Sequence, residues 1–330
     1  MANLIRLGIS GYFEYLRLLF RLSKRCQSQR QLTGDVAVVT GANTGIGKET
    51  AYQLSLRGAT VIIGCRNIEK GEDAVNDIKG RNESADIILL KLDLASLKSV
   101  RQFAQNVAQQ VRKVDIIVNN AGVMMCPEWK TTDGFEMQFG TNYLGHFLLT
   151  MHLLPLLKKS VSARVINISS LAHMIGRINF ENINMVNGSY QPFKAYAQSK
   201  LALILFGREL ARRLGSESKI KTYSVHPGHT FSELGRYDDM VGMIYKLGKI
   251  VFLNPEMGSQ TTLFCALDET LDNETGFYYV NCARVNGMVS AAKDDISGEK
   301  LWDLSCDLVN LEPHLRIYTA KSSAWQETDK

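Results

Sequence analysis

Val36-Ala37-Val38-Val39-Thr40-Gly41-Ala42-Asn43-Thr44-Gly45-Ile46-Gly47-Lys48-Glu49-Thr50 is the stretch on which the fold turns. Its four leading apolar residues read as a strand, and a helix opens at Gly47. Between them the glycines stand at the spacing GxxxGxG. Gly41 allows a tight turn off the strand. Gly45 and Gly47 let backbone and helix approach a pyrophosphate closely. The helix N-terminus then offers free N–H groups and a positive dipole end. Ala42, Asn43, Thr44 and Ile46 complete the loop. A glycine pattern alone is a weak signal, because turns use glycine for many reasons. Its place between a strand and a helix makes this one a dinucleotide-binding loop.

Outward from the loop, short apolar runs alternate with amphipathic stretches. Strands are predicted at 36–39, 60–63, 87–92, 114–118, 164–168, 220–225 and 277–280. Helices are predicted over 47–56, 68–79, 97–111, 135–157 and 195–214. Near-continuous apolar strands alternating with helices mean a parallel sheet covered on both faces. The expected fold is α/β, a Rossmann-type doubly wound parallel sheet. No linker divides residues 34–312, so they are read as a single domain. A hydrophobic content of 45% over 330 residues supports a core of that size.

The net charge of +5 is spread along the chain, with no block of interleaved basic and aromatic residues. Nucleic acid is therefore a poor partner. The six cysteines (Cys26, Cys65, Cys126, Cys265, Cys282 and Cys306) form no CxxC pair and have no accompanying histidines. They read as free thiols, and no metal site is expected.

Residues 1–30 are set apart. Asn3, Arg6, Ser10, Glu14, Arg17, Arg21 and Lys24 step by three or four, and on a helix they make one polar stripe. Leu4, Ile5, Ile9, Phe13, Leu16 and Phe20 lie across the rest. The charges exclude a spanning helix, which needs about 18 apolar residues. The reading taken is an interfacial membrane-anchoring helix. A mitochondrial targeting helix and a helix packed on the domain stay open beside it. Residues 313–330 read as a flexible tail.

Cofactor choice is read after the second strand. An NAD site usually has an acid there for the ribose 2′-hydroxyl. This chain has Gly64-Cys65-Arg66-Asn67 instead. Arg66 could pair with a 2′-phosphate, so NADP(H) is expected. Asp93, after the third strand, could accept from the adenine amino group, or could cap the next helix together with Ser96. Asn120 lies in Asn119-Asn120-Ala121-Gly122, beyond the fourth strand.

Tyr196 and Lys200 stand four apart, on one helical face. Tyrosine is a poor acid at neutral pH, with an ordinary pKa near 10, and needs a nearby cation to stabilise its phenolate. Lys200 and an oxidised nicotinamide would both serve. Tyr196 can then give a proton to a carbonyl oxygen or take one from an alcohol. Ser170 would supply a second hydrogen bond to the same oxygen, and Asn142 could hold a water relaying protons to Lys200. YxxxK alone is weak. Its value comes from its order behind the glycine loop, NNAG and the serine.

Together these residues resemble the short-chain dehydrogenase/reductases over nearly all of 34–312. Gly41–Thr50, Cys65-Arg66, Asp133-Gly134-Phe135-Glu136, Asn142–Phe147, Ser169–His173, Ser199–Ala202 and Lys300–Cys306 are similar to the retinol dehydrogenase branch. The resemblance implies a membrane-associated, NADP-preferring enzyme acting on retinal, retinol or other apolar aldehydes. The membrane expected is the endoplasmic reticulum, with the mitochondrion, from the Arg-rich N-terminal stretch, as the alternative. The resemblance makes Ser170 rather than Ser169 the catalytic serine. It places Pro227-Gly228 beside the nicotinamide and Ser232 against its carboxamide. The apolar stretch 240–253 suits a long hydrocarbon substrate, and an ordinary core-packing helix stays open beside that reading. A steroid or lipid-aldehyde reductase fits the same features. A non-catalytic nucleotide-binding scaffold uses the same fold, but would not need Asn142, Ser170, Tyr196 and Lys200 together. A homo-oligomer is compatible with all of this.

Overall fold

The computed structural model describes residues 24–228 and 253–318. Eight strands form one sheet in the order β3-β2-β1-β4-β5-β6-β7-β8. They are β1 (Val36–Thr40), β2 (Thr60–Cys65), β3 (Ile87–Lys91), β4 (Ile116–Asn119), β5 (Ala163–Ile168), β6 (Ile220–His226), β7 (Phe277–Val280) and β8 (Ala283–Arg284). All neighbours pair parallel except β7 and β8, which form an antiparallel edge. The sheet is thus doubly wound, with an edge hairpin that the sequence reading did not include.

Side chains alternate across the sheet, as a pleated strand requires. Val36 and Val38 of β1 join one apolar layer, while Ala37 and Val39 join the other. The first layer contains α3 (Leu97–Gln110), α4 (Gly145–Leu157), α5 (Pro192–Leu214) and α7 (Asp295–Leu308). The second contains α1 (Gly45–Ser55), α2 (Ile68–Arg81) and α6 (Pro255–Leu267). The strand order reverses between β1 and β4. A crevice opens beyond the carboxyl ends of the strands at such a point, and ligands bind there in folds of this kind.

Two departures from the expected helices bear on the site. The helix expected over 135–157 is divided: Phe139–Leu144 is π-helical and runs into α4. The helices α6 and α7 were not foreseen. Asn254 caps α6 through Met257 N, with Pro255 at its first turn, and Asp294 caps α7 through Ile296 N and Ser297 N. Both begin with recognisable signals, but the body of α6 lacks a one-sided apolar stripe because it is buried almost all round.

Residues 24–30, counted within the N-terminal helix, are not helical. They form a strap on α6 and the β7–β8 turn. Cys26 N donates to Gln260 Oε1 (3.0 Å), Ser28 Oγ to the Leu267 carbonyl (3.2 Å) and Lys24 N to Asn281 Oδ1 (2.7 Å). Their backbone is spent on the domain, so no helix continues through them. Residues 1–23, which carry nearly all of the amphipathic pattern, lie outside the described residues. Among the described residues no helix is long and apolar enough to cross a membrane. Residues 313–318, counted within the flexible tail, are likewise held on the domain. Leu315 is buried, and Arg213 Nη1 donates to the Ile317 carbonyl (2.7 Å).

One aromatic cluster fixes the position of α5. Trp302 of α7 meets Phe147 of α4 edge-on at 5.3 Å and Phe206 of α5 at 6.0 Å. Tyr143 completes it, with its hydroxyl 2.7 Å from Ser305 Oγ. Replacing Trp302 with alanine would empty a fully enclosed site, so Trp302→Ala is expected to cost about 3–5 kcal/mol in urea unfolding. A loss under about 1 kcal/mol would show that α7 does not hold α5.

Candidate active site

The crevice at the carboxyl ends of the strands has a volume of about 500 Å³. It runs from Arg66, Asn67 and Lys70 along the glycine loop. It continues past Asn120 and Gly122 to Ser170, Tyr196 and Lys200, and reaches Pro227-Gly228. A space of this size suits a small-molecule site.

The glycine loop is shaped by its neighbours. Gly41 has φ +65, and a Cβ there would stand 2.8 Å from Ala121 Cβ. At Gly47 a Cβ would lie 2.4 Å from Asn120 Nδ2 and 2.6 Å from the Gly41 carbonyl. These two glycines are therefore required by the close packing of the glycine loop and the start of α1 on the Asn119–Gly122 loop. Asn120 Nδ2 also donates to the Thr40 carbonyl (2.8 Å). Thr44, the N-cap residue of α1, makes no side-chain cap, and the first turn carries no acid. A helix start without a side-chain cap and without an acid suits an anionic ligand. That observation fits the crevice to a dinucleotide phosphate.

Of the residues read as cofactor contacts, Gly41, Asn43, Thr44, Gly45, Ile46, Gly47, Arg66, Asp93, Asn120, Tyr196 and Lys200 line the crevice. Ala42 does not line the crevice with its side chain, which is buried in the α1–α6 apolar layer. Asp93 lines the crevice, and its Oδ1 accepts from Ala95 N (3.0 Å) in the turn before α3. Ser96 is the actual cap of α3. Ser232 lies outside the described residues, as does most of the apolar stretch at 240–253. Lys70 was missed. It stands four residues past Arg66 in the first turn of α2, and that spacing was the available signal.

At the far end, α5 brings Tyr196 and Lys200 together. Lys200 is buried, and its Nζ lies 5.6 Å from the Tyr196 ring centre. The ammonium donates to the Ile168 carbonyl (2.9 Å). Burial makes the charged form costly and pulls the pKa of Lys200 down to about 8. The group still holds its proton at neutral pH. Ser170 caps the short turn Leu171–Ile175, its Oγ accepting from Ala172 N (3.3 Å). Ser169 instead donates its hydroxyl to the Lys200 carbonyl (2.8 Å), a framework bond. Gly122 lets its loop lie against this group, since a Cβ there would be 3.2 Å from Asn142 Oδ1 and 3.7 Å from Lys200 Nζ.

Asn142 does not line the crevice, and its amide is spent on the framework. Its Oδ1 accepts from Val123 N (2.8 Å), and its Nδ2 donates to the Val123 carbonyl and Ser199 Oγ (both 2.9 Å). Ser199 Oγ donates to the Tyr196 carbonyl (2.8 Å). The side chain thus ties the loop after β4 to the helix of Tyr196.

His146 was not singled out by sequence. Thr40 Oγ1 accepts from Asn120 N (2.9 Å) and Ala121 N (3.0 Å). The hydroxyl proton is then directed to His146 Nε2, 2.8 Å away. The Asn142 carbonyl can only accept, so the tautomer is fixed: Nδ1 carries the proton and donates to it (2.8 Å). Burial, opposed by this bond, pushes His146 from the usual 6.5 to about 4, and the nearby Lys200 charge adds to the push. His173, whose Nδ1 lies 2.6 Å from the Ser170 carbonyl, falls to about 4 for the same main reason, burial. Among the described residues no group of three or more His, Cys, Asp or Glu is placed to hold a metal ion.

Known proteins supply an independent comparison. The family model described as short chain dehydrogenase matches residues 35–239. Retinol dehydrogenase 11 of Mus musculus is 46% identical over 286 residues, covering 87% of this chain and 90% of that one. Retinol dehydrogenase 12 of Homo sapiens is 42% identical over 315 residues, covering 93% and 99%. A crystal structure of an uncharacterised protein from Mycobacterium paratuberculosis superposes with a TM-score of 0.72 at 35% identity, covering 88% and 99%. An NADP active-site complex of RhlG from Pseudomonas aeruginosa does so with a TM-score of 0.62 at 28% identity, covering 76% and 95%. The chain belongs to the short-chain dehydrogenase family and, within it, to the retinol dehydrogenase branch.

The two buried neutral histidines predict acid sensitivity. The unfolded chain takes up protons below about pH 6.5, and the folded one only near pH 4. Their contribution to stability is whole above pH 6.5 and is lost as pH falls toward 4. Each ring costs about 1.4 kcal/mol per pH unit in that window. Urea unfolding at pH 7 and pH 5 should show the fall, and His146→Asn should flatten its slope by one ring's share. A slope unchanged by His146→Asn would contradict the neutral, buried ring.

Proposed function

We propose that this oxidoreductase interconverts an apolar aldehyde or ketone and its alcohol with NADP(H), with retinal and retinol as the leading substrate pair. The observation that carries the reading is the convergence of two chemistries in one crevice. A cationic end holds Arg66 with Lys70, and a proton-transfer end holds Ser170, Tyr196 and Lys200.

The preference for the 2′-phosphate is argued from Arg66 and Lys70. An acid at the end of β2 would repel a phosphate, and Cys65 stands there instead. A guanidinium can bind phosphate in a bidentate way, and a lysine adds a point charge. Bound in the crevice, the nicotinamide would exchange hydride with the carbonyl carbon. The rest is the work of this chain. Tyr196 gives its phenolic proton to the substrate oxygen in reduction and takes it back in oxidation. Lys200 stabilises the phenolate, and its burial strengthens that effect because little water screens the charge. Ser170 Oγ hydrogen-bonds the same oxygen. Asn142 and Ser199 hold the Tyr196 turn in register with the loop after β4. The retinoid substrate is supported by the names of the relatives, each called a retinol dehydrogenase.

The test is NADPH consumption by the detergent-solubilised chain with all-trans-retinal, beside NADH, steroid ketones and medium-chain aldehydes. Turnover of retinal with NADPH is the expected result. Turnover of steroid ketones but not retinal would overturn the substrate. Tyr196→Phe should lower kcat by at least about a hundredfold while NADPH still binds; retained turnover would remove Tyr196 from proton transfer. Arg66→Asp should move the NADPH/NADH preference toward NADH by about tenfold or more, the size of one lost charge-assisted contact. An unchanged ratio would take Arg66 out of the cofactor site.

A further inference from the structure

The loop after β4 turns beside the proton-transfer end and presents Met124 there. Met124 lines the crevice and packs on the small apolar cluster of Ala172, Tyr196 and Ala197. It is thus an apolar wall in contact with the phenol's own surroundings. The next residue, Met125, has φ +54, a backbone that an L side chain enters only at a cost. Such a conformation persists when its surroundings fix it.

Those surroundings are two amides, one at each end of a single helical turn. Asn142 binds both polar backbone atoms of Val123, at 2.8 and 2.9 Å. Gln138, four residues earlier and fully buried, accepts from Met125 N through Oε1 (3.0 Å). Its Nε2 donates to Tyr190 Oη (3.0 Å) and the Pro192 carbonyl (2.8 Å). Tyr190 Oη donates to the Cys126 carbonyl (2.7 Å). The backbone on both sides of Met124 is therefore clamped, by the π-helical segment and its cap on one side and by the approach to α5 on the other. Gln138 itself is set by Glu136, whose Oε1 accepts from Gln138 N (2.7 Å) and whose Oε2 accepts from Phe139 N (2.6 Å).

We propose that Met124 is a specificity-determining residue of the carbonyl site, and that Gln138 and Tyr190 are the positioning residues that hold it against Tyr196. A substrate whose carbonyl reaches Tyr196 must lay its carbon skeleton along the Met124 thioether. The side chain is unbranched and polarisable, so it fits an extended apolar body better than a polar one. The inference rests on the carbonyl/alcohol reading above and names the residue that selects for a bulky apolar partner.

The experiment compares all-trans-retinal with propanal under NADPH, using the full chain in detergent. Met124→Ala should lower the retinal/propanal ratio of kcat/KM by about tenfold. Gln138→Met keeps the volume but removes the clamp, and should lower the same ratio in the same direction. The double variant should lose less than the product of the two, because both act through one contact. A ratio unchanged in both variants, or effects that simply multiply, would overturn the proposal. The same variants are read without turnover by quenching of all-trans-retinol fluorescence on the NADP-loaded chain. About tenfold weaker retinol binding supports the Met124 wall, and unaltered binding refutes it. A chain that binds retinol through Met124 yet reduces nothing would refute the reaction while sustaining this inference.

Discussion

A single buried ammonium organises the chemical end of this molecule. Lys200 lies on the inner face of α5 with its Nζ bound to the carbonyl that ends β5. Water would stabilise such a charge, and the fold denies it water. What replaces the solvent is a carbonyl dipole on one side and the crevice on the other. A charge held in this way favours a phenolate beside it. The same burial that weakens its hold on the proton increases its reach, because the local dielectric is low. The surrounding structure serves to keep α5 where this balance holds.

That support comes from three directions. The aromatic cluster of Tyr143, Phe147, Phe206 and Trp302 packs the outer face of α5 on α4 and α7. The inner face is tied by Ser169 to the carbonyl of Lys200 and by Asn142 through Ser199 to the carbonyl of Tyr196. A buried polar chain then runs to the cofactor end, from Asn142 through His146 to Thr40 and so to Asn120. This chain works only while His146 is neutral, since its two nitrogens must play different parts. The glycine loop and the Tyr196 helix, about 150 residues apart in sequence, are thereby held in one frame of reference by four side chains.

The sequence carried most of the sheet and much of the crevice. Apolar runs bounded by glycine and asparagine marked the seven parallel strands, because strands buried on both faces cannot disguise their composition. The two-residue edge strand β8 has no such run to show. The π-helical segment was read as ordinary helix, since a change of hydrogen-bond register leaves the side-chain types unaltered. The motifs located the ends of the crevice, but the polar framework was opaque. Asn142 was visible as a residue type, and its task was not, because its partners Val123 and Ser199 are close only in the folded chain. His146 looked like one more residue of an apolar helix. Gln138 and Tyr190, joined across 52 residues, offered no local pattern at all.

The claim that everything here serves is hydride exchange between a nicotinamide and a carbon held at Tyr196. It is tested most directly by isotope. NADPH carrying deuterium at the transferable C4 position would be given to the chain with all-trans-retinal, and the alcohol product analysed by mass spectrometry. This account predicts one deuterium in the product, on the carbinol carbon, and at least about a hundredfold slower formation of that labelled alcohol when Tyr196→Phe replaces the wild-type chain. An alcohol product without the label, or consumption of NADPH with no alcohol formed, would contradict it.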